Sequence, residues 1–141
     1  MNATAPARLI GLATAAYGVA VSIRPEILLR PTGLGTGGEP ELRAAARLVA
    51  LRDLVSGLAL AFADDPRARR TAVIIRVACD VADTSVFALA LEGRAERVKT
   101  LAVTSGWGLL CAASGVYEAW QGARRADLID GGDPTVPGRM A

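Results

Sequence analysis

The 141-residue chain contains no histidine. Imidazole metal sites, haem ligation through histidine and histidine-based catalytic triads are therefore excluded. Its two cysteines, Cys79 and Cys111, lie far apart and form no CxxC pair, which leaves neither a thiolate zinc site nor a disulfide scaffold. An excess of one charge is also missing. Lys+Arg 16 stands against Asp+Glu 14, a net charge of +2, although the sequence pI is about 8.8. A dedicated nucleic-acid binder would show a clustered basic face, so nucleic acid is not expected as a partner. No cofactor motif is present either. Gly33, Gly35 and Gly38 have GxGxxG spacing, but no strand precedes them, and Glu39-Pro40-Glu41 would repel a pyrophosphate.

What the chain has in quantity is apolar surface. Hydrophobic residues make up 52% and charged residues 21%, with a mean hydropathy of +0.34, too apolar for a wholly disordered protein. Four apolar segments cover residues 8–23, 42–63, 71–91 and 100–120. Each approaches the roughly 17 to 25 residues with which a helix spans a bilayer. Pro25, Pro31, Pro40 and a glycine-rich run break the chain between the first two, and short charged stretches at 64–70 and 92–99 break it twice more. Residues 122–141 carry Gly131, Gly132, Pro134 and Pro137 and read as a disordered tail, leaving 1–121 as one domain.

Segments one and four have no charged face, and a small soluble domain lacks the volume to bury two such helices completely. Arg47, Arg52, Asp53, Arg76, Asp80 and Asp83 in the middle segments argue the other way. On balance the pattern predicts an all-α, four-helix transmembrane bundle, multi-pass in the plasma (inner) membrane, with the lipid bilayer as its surroundings. Segment one is long for the apolar core of a signal peptide. Arg8, Arg67, Arg69, Arg70, Arg124, Arg125 and Arg139 would face Arg24, Arg30, Arg43, Arg94, Arg97 and Lys99 across the membrane, which places both termini on the cytoplasmic side. Tyr117 and Trp120 would then anchor that interface.

The middle segments carry the chemistry. Arg76, Asp80 and Asp83 are spaced i, i+4, i+7 and form one helical stripe, while Arg52, Asp53 and Ser56 share a face of the preceding helix. One Arg or Asp at the centre of a membrane helix costs roughly 2.5 to 3.5 kcal/mol, so five facing lipid would cost on the order of 12 to 17 kcal/mol. They must face inward and pair. Three carboxylates against two guanidinium groups leave one carboxylate in surplus, and Asp80 and Asp83, one turn apart, are the pair expected to share a proton. The bland alternative is a network that only locks two helices together.

Other features weigh less. Trp107, Cys111, Ser114 and Glu118 form one stripe of the last helix, which ordinary packing explains as well as a pocket wall does. Tyr17 is the only hydroxyl-bearing aromatic of the first helix. Asp80-Val81-Ala82-Asp83 is similar to acidic motifs that hold magnesium-diphosphate, but Arg76 on the same face competes with a metal, so no metal site is expected.

Arg47-x4-Arg52-Asp53 together with Arg76-x3-Asp80-x2-Asp83 resembles a family of small four-helix integral membrane proteins of unknown function from high-GC bacteria, over residues 8–120. The resemblance implies a topology and brings no activity with it.

The function expected from the residues is an acid/base enzyme (an isomerase, cyclase or epoxide-opening enzyme) acting on a lipophilic small molecule. Asp80, Asp83 and Asp53 are the candidate acids and bases, and Arg52 and Arg76 the stabilisers of ionised forms. Tyr17, Ser56, Trp107 and Ser114 are the candidate substrate-binding residues. One alternative is a transport or binding module for a small solute or protons, working as a homodimer. Another is a structural partner of a second membrane protein.

Overall fold

The structure, a computed structural model, describes residues 4–130. Among the described residues the chain forms five helices and no strand: α1 Ala5–Ile23, α2 Glu26–Thr32, α3 Pro40–Phe62, α4 Pro66–Ala90 and α5 Arg97–Asp130. The expectation of an all-α chain agrees with this; that of a four-helix transmembrane bundle does not. Among the described residues only α1 is both long enough and apolar enough to cross a membrane. The physical reason is dilution. Helices α3 and α4 carry Arg47, Arg52, Asp53, Arg76, Asp80 and Asp83 within their lengths, and the uncharged stretch of α5 is thinned by Thr100, Thr104, Ser105, Trp107 and three glycines. Freedom from charge is not the same as apolarity. The multi-pass reading and the cytoplasmic placement of both termini, which were counted on four spans, fall with it.

The boundaries follow local chemistry. Pro25 occupies the N-cap position of α2, with Glu26 in the first turn, where a missing N–H costs nothing and an acid complements the helix dipole. Gly33 ends this helix in the left-handed region at φ 68°, a conformation glycine adopts without penalty. The connection read as an unbroken loop thus contains a helix. Helix α4 starts earlier than the apolar pattern does, because Pro66 sits in its first turn and the Asp65 carboxylate accepts from the Ala68 N–H at 2.7 Å. Helix α5 runs on through 122–130, where composition gives disorder; the remainder of that predicted tail, 131–141, lies outside the described residues.

The helices pack as two pairs. Helix α1 lies along α3 with the backbones nearly touching at glycines. A Cβ on Gly57 would stand 2.6 Å from Ala15 N and Gly11 O, and one on Gly18 would stand 2.6 Å from Ala50 O. Helix α4 lies along α5, and contact between the two pairs is sparser. Buried Ala7, Leu60, Ala72 and Val73 form one apolar cluster joining the pairs at one end, and Val21, Leu29, Ala46 and Ala50 form another at the opposite end. Outward, all four long helices expose large apolar side chains, among them Leu9, Leu48, Val55, Phe62, Leu89, Val103 and Leu109.

Candidate functional site

Between the two apolar clusters, the seam of α3 and α4 is filled by charge. The periodicity that puts Asp53, Ser56 and Leu60 on the inner face of α3 also puts Arg69, Ala72, Val73, Arg76 and Asp80 on the inner face of α4. The side chains form a ladder in the order Asp83, Arg52, Asp53, Arg76, Asp80. The Arg52 guanidinium grips Asp83 with both terminal nitrogens, Nη1 to Oδ1 at 2.8 Å and Nη2 to Oδ2 at 2.5 Å, and Nη2 also donates to Asp53 Oδ1 at 3.0 Å. Arg76 Nη1 donates to the same Asp53 oxygen at 2.7 Å and to Ser56 Oγ at 3.3 Å. Its Nε and Nη2 take both oxygens of Asp80, with Nε to Oδ2 at 3.2 Å. Fork-to-carboxylate pairing of this kind suits arginine, which stays charged when buried.

All five predicted catalytic residues, Asp53, Asp80, Asp83, Arg52 and Arg76, are therefore brought together. One detail differs. Asp80 and Asp83 do not face each other: each faces its own arginine, because a shift from i+4 to i+7 along the stripe carries Asp83 to the outer end of the seam. Arg76, Asp53 and Asp80 are buried, whereas Arg52 and Asp83 are only partly covered. Burial pushes the Asp80 carboxyl above the ordinary carboxylate range; Arg76 pulls it back, and the negative Asp53 and Asp83 nearby push it further up. The Asp80–Asp83 motif faces guanidinium groups, Arg76 at Asp80 and Arg52 at Asp83.

The predicted substrate-binding residues do not converge. Ser56 is part of the ladder. Trp107 Nε1 donates to Thr14 Oγ1 at 3.1 Å and ties α5 to α1. Ser114 is buried with its hydroxyl on the Cys111 carbonyl at 2.7 Å, and Tyr17 is exposed on α1. Cys79 and Cys111 are both free. Burial, with Asp80 nearby, lifts the Cys111 thiol to about 11, which keeps it protonated and inert at neutral pH.

Two features escape the sequence reading. The first is a groove of about 330 Å³ between α4 and α5, lined by Asp80 with Val77, Val81, Thr84, Thr104, Gly108 and further apolar and hydroxyl residues. Gly108 makes the approach possible, since a Cβ there would lie 3.0 Å from the Cβ of Asp80. The second is Arg69, assigned by sequence to an exposed charged loop. It is buried, with Nε on Glu118 Oε1 at 2.7 Å, Nη1 on the Ala63 carbonyl at 2.7 Å and Nη2 on the Asp64 carbonyl at 3.3 Å. Its signal was present as spacing: Arg69 precedes Arg76 by two helical turns on the same stripe. Arg47, part of the sequence pattern, stays outside the ladder and donates to the Ser22 carbonyl at 3.3 Å.

No protein family, no curated protein and no solved structure matches the chain.

Proposed function

We propose that the protein is an acid/base enzyme that rearranges a lipophilic small molecule held in the α4–α5 groove, with Asp80 as the proton donor and acceptor. The observation that carries this reading is that Asp80 is the one ionisable side chain lining an otherwise apolar and hydroxyl-bearing groove. Behind it stands a ladder with one carboxylate in surplus. A proton on Asp80 makes the ladder electroneutral, two guanidinium groups against Asp53 and Asp83, and Arg76 keeps Asp53 as its partner. Protonated Asp80 would give its proton to an alkene carbon or epoxide oxygen of the substrate. The cation so formed would face a cluster restored to net negative charge, the kind of fixed field that lowers such a barrier. In the isomerase case the Asp80 carboxylate then removes a proton from the neighbouring carbon, which shifts the double bond and returns the acid to its starting state. A single carboxyl at the groove favours this one-group cycle over epoxide hydrolysis, in which a second acid must activate water.

The test is proton exchange. Purified protein incubated in deuterated water with isoprenoid alkenes and their epoxides should isomerise or open a member of the set and incorporate deuterium. Asp80→Asn should lower that rate by about 10²- to 10⁴-fold while circular dichroism shows the helices intact. Full activity in the folded variant, or no exchange with any compound by the wild-type protein, overturns the reading.

A second reading has its own observation. The bidentate Arg52–Asp83 pair lies away from the groove-lining residues and joins α3 to α4, so that end of the ladder serves registry between the helices. Arg52→Met combined with Asp83→Leu should then leave exchange activity in place.

The setting we propose for this chemistry is a membrane surface. Large exposed apolar patches mark places where a protein meets another apolar phase; here they cover α1, the helix apolar enough to enter lipid, and the outer faces of α3, α4 and α5. The protein is expected to float with phospholipid vesicles in a density gradient; recovery entirely in the lipid-free fractions would refute the setting.

A further inference from the structure

The groove holds hydrogen-bond acceptors and is short of donors. Thr84 Oγ1 donates to the Asp80 carbonyl at 2.8 Å, Ser85 Oγ to the Val81 carbonyl at 2.8 Å and Thr104 Oγ1 to the Thr100 carbonyl at 3.1 Å. A hydroxyl has one proton and two lone pairs, so these three have committed their protons to the preceding helical turn. Thr84 and Thr104 also touch each other at 3.1 Å. Backbone N–H groups on the groove walls are consumed by the helices themselves. Ser105, which also lines the groove, is the one side-chain hydroxyl there left to donate; the rest of the lining offers lone pairs, the Asp80 carboxylate and apolar carbon from Val77, Val81 and Leu109.

Charge points the same way. With all five groups ionised, the ladder behind Asp80 is one negative charge in excess, and it sits among buried helices where water screens it poorly. The rest of the molecule does not share this bias, since the net charge of the chain is +2. A neutral or anionic ligand would find a single side-chain donor, Ser105, and would face a net negative cluster.

We infer that the groove recognises a lipophilic ammonium, a positive nitrogen on an apolar body, seated with the nitrogen toward Asp80 and the hydrocarbon along Val77, Val81 and Leu109. This deepens the proposed reaction, because a stable cation in that place resembles the carbocation that Asp80 would generate, and transition-state-like molecules bind enzymes more tightly than substrates do. The groove takes up the ammonium by charge complementarity, and the acceptor oxygens of Thr84 and Thr104 take any N–H that the ligand carries.

Calorimetric titration of the full chain with octyltrimethylammonium, octanol and octanoate tests this with one hydrocarbon body and three head charges. The ammonium is expected to bind at least about tenfold more tightly than the alcohol, and octanoate more weakly than either. Asp80→Asn should equalise ammonium and alcohol. Ala112→Trp, which fills the groove while leaving the ladder untouched, should abolish binding of all three and so keeps the test sound if the first variant does not fold. Equal binding of ammonium and alcohol to the wild-type protein, or an unchanged preference in folded Asp80→Asn, overturns the inference. Binding and proton exchange are separate measurements: exchange without ammonium preference removes the ligand class and leaves the enzyme, whereas ammonium preference without exchange leaves a binding site and removes the enzyme.

Discussion

Arg76→Met is expected to destabilise the protein by about 3–5 kcal/mol, the range found when one member of a buried ion pair is removed. Arg76 is almost fully covered and serves both Asp53 and Asp80. Methionine would fill much of the space but leave Asp80 with no cation in reach, while Asp53 would keep Arg52 alone. The size of the loss depends on pH in a definite direction. The Asp80 carboxyl already lies above its ordinary range with Arg76 present, and removal of the arginine raises it further. A group whose folded-state pKa exceeds its unfolded value contributes stability that is present below the unfolded value and is lost as pH rises through the folded one. Urea denaturation should therefore show the largest deficit in mildly alkaline buffer and a partial recovery in mildly acidic buffer. Arg52→Met should cost less in both, since Arg52 and Asp83 reach solvent at the outer end of the ladder. A deficit for Arg76→Met that is small, or that grows as pH falls, would show that the ladder is not what stabilises the seam.

The second large effect is steric and reverses sign between two glycines. Gly57→Ala is expected to destabilise by about 1–3 kcal/mol, although alanine is the better helix former. The new methyl group would meet backbone atoms of α1, Ala15 N and Gly11 O, at 2.6 Å, and backbone cannot rotate away as a side chain can. The two helices must separate, loosening the contact along both. Gly106 on α5 has open space where its Cβ would stand. There Gly106→Ala meets no obstacle and should stabilise by about 0.5–1 kcal/mol, the ordinary helix-propensity gain. Thermal unfolding of the two variants beside the parent measures the difference. Equal shifts of the same sign would mean that α1 and α3 do not approach as closely as described.

The residues of the site were legible because helical periodicity is local. Arg76 and Asp80 stand one turn apart, and Arg52, Asp53 and Ser56 share a face, so charge surrounded by apolar sequence identified the seam before any fold was known. Partner choice was not legible. It depends on how far α3 is displaced along α4, and that displacement gives Asp83 to Arg52 and Asp80 to Arg76 instead of pairing the two acids. Arg69 was hidden for a different reason. A run of charges beside a proline has the composition of a turn, and only the two-turn spacing to Arg76 shows that one of them points inward. The short helix α2 was obscured by Pro25 and Pro31, which look like breaks until Pro25 is seen at the N-cap position. The multi-span reading failed on magnitude: lack of charge in α5 was given the weight of apolarity, and serine, threonine, glycine and tryptophan withheld it. The groove beside Asp80 could not have been foreseen, since it depends on the small Gly108 of α5 facing α4, and a lone glycine in a helix carries no such message.

The arrangement in two pairs has an outcome for communication within the molecule. Since α1 is zipped to α3 and α4 to α5, with arginine and aspartate riveting one pair to the other, an event at Asp80 reaches the rivets through Arg76, which holds Asp80 along α4 and Asp53 across the seam. The proposed arrival of a cation in the groove, or loss of a proton there, would change how firmly the halves are held together.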